Sequence, residues 1–124
     1  MTTHDRTSAP LILFQNSPYA GSLARSSLDL ALSFAVFAQQ PALLFCGDAV
    51  LCLKDAQDSH SIGRKSLRKV IDSLPLYDIE QVYVDQLSLE QNGLGAREIP
   101  PFAVSVSTQE IQKMLAEAAH VISL

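Results

Sequence analysis

Few residues in this chain could carry chemistry, and they are scattered. Cys46 and Cys52 stand six positions apart. The thiolate is the nucleophilic form of cysteine, favoured at a helix N-terminus or beside a cation. Cys46 lies in Phe45-Cys46-Gly47-Asp48, where an apolar run ends. It reads either as a thiol poised at the start of a helical segment or as an inert core cysteine, a common fate of this small apolar side chain. Cys52 follows Leu51 in an apolar stretch and reads as inert. The spacing is not CxxC, so neither a redox pair nor a zinc knuckle is implied. His4, His60 and His120 lie far apart, with no metal-ligand spacing. His120 is expected at the end of the last helix, near exposed carbonyls and the negative helix terminus. No metal site is expected.

Asp85 stands between the apolar run Val82-Tyr83-Val84 and the segment Gln86-Leu87-Ser88-Leu89. This reads as a buried strand running into a short helix. An aspartate there caps the helix, worth about 1 kcal/mol over alanine. As a catalytic acid or base it lacks a neighbouring His or second carboxylate. The segment Asn16-Ser17-Pro18-Tyr19-Ala20-Gly21-Ser22 lies where α/β proteins often bind phosphate. It lacks both the GxxxxGK[ST] loop and the GxGxxG fingerprint. Ser17 with Arg25 could hold an anion at a helix start. A satisfied turn, with Arg25 paired to Asp29 four residues on, accounts for the same residues; such a pair contributes only about 0.2–0.5 kcal/mol. No cofactor is expected.

The elements that would position these groups alternate between short apolar strands and helical segments. Leu11 to Gln15 reads as a strand and Asn16 to Gly21 as a loop. From Ser22 to Gln39 apolar residues recur at helical spacing, Phe34 and Phe37 among them, around much of the circumference. That surplus of apolar surface suits either a subunit interface or a second layer of packing within the chain. Pro41 introduces a second strand, Ala42 to Cys46, with Asp48 as N-cap of a short segment to Leu53. Lys54 to Gly63 is polar and reads as a surface loop. Arg64 to Leu74 reads as a helix stopped by Pro75.

A third strand is expected over Ile79 to Val84 and a loop over Asn92 to Pro101. A fourth strand follows over Phe102 to Val106. Ser107-Thr108-Gln109-Glu110 fits a capping box opening a helix to about Ala119. Val121 to Leu124 makes a last strand. This alternation implies right-handed crossovers and a mainly parallel sheet covered on both faces. The expectation is one flavodoxin-like three-layer α/β domain over 11–124, with five strands, helices on both faces and a flexible tail over 1–10. Functional groups should then gather at the carboxyl ends of the strands.

Composition sets the outer limits. The chain has 124 residues, 48% of them hydrophobic, and a net charge of −4. One domain with a real core is the natural expectation. Charges of both signs are interspersed, with no basic footprint for nucleic acid. No stretch approaches the length of a membrane span. The apolar run Leu11 to Phe14 is too short for a signal-peptide core, so a cytoplasmic location is expected. A structural disulfide is unexpected there.

Several segments together resemble the DsrE/DsrF-like family, over almost the whole chain from Leu11. They are the opening strand with Asn16-Ser17-Pro18-Tyr19, the helix with Arg25-Ser26-Ser27-Leu28-Asp29, and Leu76-Tyr77-Asp78-Ile79-Glu80-Gln81. The downstream Leu87-Ser88-Leu89 and Gly93-Leu94 follow, then Pro101-Phe102-Ala103-Val104. The resemblance is to the non-catalytic subunits of the family. Members that transfer sulfur carry a cysteine eight residues before the glycine matching Gly93, and here that position is Asp85.

The resemblance implies a cytoplasmic heterohexamer, two copies each of three homologous chains. Such a complex takes persulfide sulfur from an upstream carrier and passes it towards the enzyme that makes 2-thiouridine at the tRNA wobble position. Related complexes serve dissimilatory sulfur oxidation. The implied role is a structural subunit with no catalytic residue, cofactor or metal of its own and no direct contact with nucleic acid or membrane. The different-class alternatives are a sulfurtransferase using Cys46 as carrier and a free-standing small-ligand-binding α/β domain.

Overall fold

A computed structural model of the chain describes residues 10–15, 26, 29–30, 32–33, 40–54, 69–118 and 120–123. Five strands form one sheet: β1 (Pro10–Phe14), β2 (Ala42–Phe45), β3 (Val82–Asp85), β4 (Val104–Val106) and β5 (His120–Ser123). Their order is β4-β3-β2-β1-β5, and every neighbouring pair is parallel. The first two strands are almost wholly apolar because both faces of the sheet are covered.

The strand order explains where the helices lie. From β1 to β4 the chain steps in one direction across the sheet, so right-handed crossovers leave those connections on one face. The return from β4 to β5 runs the other way and places its helix on the opposite face. The side chains divide accordingly. Ile12, Phe14, Leu43, Phe45, Val82 and Val84 face a first core with Ala49, Val50, Leu53, Ile71, Leu74, Leu89 and Ile99, and with Leu32 packed against it. Leu11, Leu44 and Val106 face a second core, joined by Leu13, Cys46, Tyr83, Ile111 and Met114. The domain is therefore a three-layer α/β structure with helices on both faces.

Two regular helices lie wholly within the described residues: α1 (Gln86–Gln91) and α2 (Thr108–Glu117). The expected capping box opens α2: Ser107 Oγ accepts from the Glu110 amide at 3.2 Å, and Glu110 Oε1 accepts from the Ser107 amide at 2.9 Å. α1 ends with Gly93 in the left-handed region (φ 68°). Its amide donates to the Glu90 carbonyl and the Leu94 amide to the Leu89 carbonyl, which satisfies the last turn.

Some local expectations change. Asp48 does not cap the segment after β2. That segment is a 3-10 helix over Gly47–Leu53; Cys46 occupies its cap position and Asp48 lies in its first turn. Pro75 does not end the helical path either. Residues 69–72 are helical, and Pro75 then sits in the 3-10 turn Leu74–Tyr77, because proline has no amide to lose at a helix start. The left-handed Asp78 (φ 63°) closes that turn. β3 begins at Val82 rather than Ile79 and β4 at Val104 rather than Phe102. His120 does not cap the last helix; it opens β5, opposite Pro10. The expected loop at Asn16–Gly21, the Arg25–Asp29 pair, Phe34 and Phe37, His4, His60 and the surface loop to Gly63 lie wholly or partly outside the described residues.

Candidate functional site

The carboxyl ends of β2 and β3 bring Cys46 and Asp85 side by side. The strand register pairs Phe45 with Val84 and Asp85 with Val106. One step beyond Phe45 and Val84, Cys46 and Asp85 stand at neighbouring positions. Val106 and Tyr83 belong to the second core, as does Cys46, so the pleat places Asp85 on that face as well.

Asp85 serves as the N-cap of α1, as its position suggested. One carboxylate oxygen accepts from the Leu87 amide at 3.3 Å. The other accepts from the Ser88 hydroxyl at 2.6 Å. Ser88 Oγ in turn accepts from the Gly47 amide at 2.9 Å. Gly47 has φ 58°, a conformation that favours glycine, and this turn aims its amide at α1. A continuous chain thus runs from the Gly47 N–H through the Ser88 hydroxyl to the Asp85 carboxylate, linking the ends of two strands.

Ser88 is the feature the sequence reading missed. It is the sole polar residue among the buried side chains described, 4% exposed, and it is satisfied as both donor and acceptor. The signal lay in the spacing: a serine three residues after a helix-capping aspartate faces back towards it across the first turn. Its second partner, Gly47, lies 41 residues away and leaves no local trace.

The thiols are far from activated. Burial pushes the Cys46 thiol up to about 11, and the charge of Asp85 pushes in the same direction. Burial alone pushes Cys52 up to about 12. Cys46 does sit at the head of a 3-10 helix, as the sequence suggested, but desolvation and a neighbouring anion outweigh that position. Its amide is used in extending the sheet, donating to the Phe14 carbonyl at 3.0 Å. Among the described residues, no group of three or more His, Cys, Asp or Glu is placed to hold a metal ion. No helix among them is long and apolar enough to cross a membrane.

An all-parallel five-stranded sheet, with its polar groups gathered at the strand carboxyl ends, defines an α/β protein of the doubly covered kind. A model of the DsrE/DsrF-like family matches residues 9–124, and the chain belongs to that family. It is 32% identical over 111 residues to a TusC homolog of Vibrio vulnificus strain CMCP6, covering 90% of this chain and 94% of the relative. A TusC homolog of Pseudomonas aeruginosa PAO1 is 28% identical over 114 residues, covering 92% and 96%. The intracellular sulfur oxidation protein DsrF of Allochromatium vinosum is 34% identical over 84 residues, covering 68% of this chain and 62% of DsrF. In three dimensions the crystal structure of the ychN protein from E. coli superposes with a TM-score of 0.73, covering 94% of this chain and 98% of that one. At 13% identity that likeness speaks for the fold alone.

Proposed function

We propose that this chain is a structural subunit of a cytoplasmic sulfur-relay complex, of the TusC kind, and performs no sulfur transfer itself. Its partners would be homologous TusB-like and TusD-like chains in a heterohexamer that hands persulfide sulfur from an upstream carrier towards a tRNA thiolase. Residues 11–124 would form the subunit's domain and residues 1–10 a tail. The likeness to TusC homologs over most of the chain supports this assignment.

The observation that carries the non-catalytic part is Asp85. We place it at the position where sulfur-transferring members hold their cysteine. A carboxylate accepts hydrogen bonds there but cannot carry a persulfide. The neighbouring thiol, Cys46, is a poor substitute carrier, since burial and Asp85 both oppose its ionisation. The role left is scaffolding: shaping the pocket around a partner's cysteine and helping to exclude water and stray thiols.

The test is co-purification of the tagged chain from its host, with intact masses taken under non-reducing conditions. Two homologous partners, with a persulfide increment on a partner and none on this chain, are the expected result. Recovery of the chain alone, or a persulfide on its own Cys46, would overturn the reading. The match to DsrF favours a second reading, a subunit of a dissimilatory sulfur-oxidation complex. Loss of tRNA 2-thiouridine in a deletion strain supports the first role; intact 2-thiouridine with impaired sulfur oxidation supports the second.

A further inference from the structure

We propose that Asp85 is a specificity-determining residue: its carboxylate, fixed by Ser88 beside the Cys46 thiol, keeps this chain from capturing sulfur that belongs to a partner. The inference rests on the relay reading and adds to it a reason for an acid, rather than any other non-thiol residue, at this position.

Three observations support it. Cys46 is only half-buried, so it is not protected by occlusion alone. It stands at the same end of the sheet as Asp85, on the same face, at the neighbouring strand position. The carboxylate cannot swing away freely, because Leu87 and Ser88 hold one oxygen each and Ser88 is itself tied to the Gly47 amide next to Cys46. Tyr83, two residues before Asp85 on β3, packs with Cys46 in the same second core.

The reaction being prevented is a simple exchange. A Cys46 thiolate would attack the terminal sulfur of a partner's persulfide. The donor's S–S bond would break, its electron pair leaving with the partner's thiolate, which takes up the proton given up by Cys46. The product would be a persulfide on Cys46, formed with no oxidant or reductant and stranded away from the relay. The step needs the thiolate, and a fixed anion beside the sulfur disfavours that form.

The experiment compares the full chain with Asp85→Asn, Asp85→Ser and Asp85→Glu variants. Each is treated with iodoacetamide and, separately, with glutathione persulfide across a pH series. Peptide mass mapping assigns the label to Cys46 or Cys52. Serine retains helix-capping ability without charge, so one uncharged variant is expected to fold even if the other does not. The uncharged variants should label faster at Cys46, with an inflection at lower pH, and Asp85→Glu should stay slow. Each unit by which the inflection falls gives about tenfold more thiolate and, after the loss of intrinsic nucleophilicity, roughly a three- to fourfold faster reaction below the inflection. Persulfide should accumulate on Cys46 in the uncharged variants and not in the parent chain. Equal Cys46 labelling in parent and uncharged variants would overturn the proposal, as would ready persulfide uptake by the parent at neutral pH. The labelling needs no partner, so its failure is separable from failure of the relay reading, which depends on the co-purification.

Discussion

Asp85 and Ser88 are joined by a 2.6 Å hydrogen bond across the first turn of α1, and the same serine oxygen receives the Gly47 amide from the end of β2. One hydroxyl therefore locks the ends of two strands and the start of a helix to each other. Because Ser88 is buried, water does not readily replace either bond.

Replacing Ser88 by alanine should leave the Gly47 amide unpaired and free one carboxylate oxygen. These bonds are part-buried, so the loss should cost about 0.5–1.5 kcal/mol. The expected outcome is a lower urea midpoint with an unchanged m-value, read by circular dichroism. A midpoint equal to that of the parent would show that the serine bridge adds nothing to stability.

Asp85→Cys should create a thiol where the carboxylate now sits. The Leu87 amide and the Ser88 hydroxyl would then face sulfur, and donors of this kind favour a thiolate. Its alkylation profile should titrate well below that of Cys46 in the parent chain, which sits at about 11. A profile as high as that of Cys46 would mean that these donors do not suit sulfur.

Stability should fall in alkaline solution. The folded state raises both cysteines, Cys46 to about 11 and Cys52 to about 12, from the ordinary 9.0. Above pH 9 the unfolded chain loses these protons first, so the folded state holds more protons and unfolding becomes easier as pH rises. The decline should continue to about pH 11–12, while below pH 9 these thiols contribute no slope. Urea midpoints measured from pH 7.5 upwards should show a shallower alkaline decline in Cys46→Ala than in the parent chain. An identical slope would contradict this.

Ser107→Ala removes the hydroxyl that accepts from the Glu110 amide. Loss of such a cap costs about 0.5–2 kcal/mol. The readout is the thermal midpoint, which should drop by a few degrees. Glu110→Gln should do much less harm, since its amide oxygen still reaches the Ser107 N–H.

Phe45→Ala should be the most damaging of these changes. Phe45 is fully buried and stacked on Phe14, with ring centroids 4.6 Å apart at 11°. A truncated buried phenylalanine costs about 3–5 kcal/mol, a large share of a small domain's stability. Loss of cooperative unfolding or of soluble expression is the expected result. Near-parental stability would mean that the ring contributes little to the first core.

Much of this was legible in the residues. The apolar runs at Leu11, Ala42, Val82 and Val104 each produced a strand, because a parallel sheet buried on both faces demands continuous apolar sequence. The Ser107–Glu110 box was legible because its partners are three residues apart and its chemistry is local. The strand starts were harder. Ile79 and Phe102 are apolar because they pack against the first core, not because they pair in the sheet, and hydropathy does not separate those cases. Asp48 looked like a cap from its type alone, but Gly47 had already begun the turn. At the site, Asp85 was singled out by the resemblance, which implies a cysteine eight residues before Gly93 in members that transfer sulfur. Its pairing with Cys46 depends on strand register, and its tie through Ser88 to Gly47 depends on a contact between distant segments.

The strand order has a consequence for how the chain reaches this structure. β1 lies between β2 and β5, so Pro10 pairs with His120 while Leu11 pairs with Ala42. During synthesis the first strand can find one neighbour early and must wait for the other until nearly the whole domain has emerged. Its outer edge stays open for that interval, and exposed strand edges are where nascent chains mispair. Long-range closure of this type also lowers the folding rate. In this domain the last strand made is the one that shields the first.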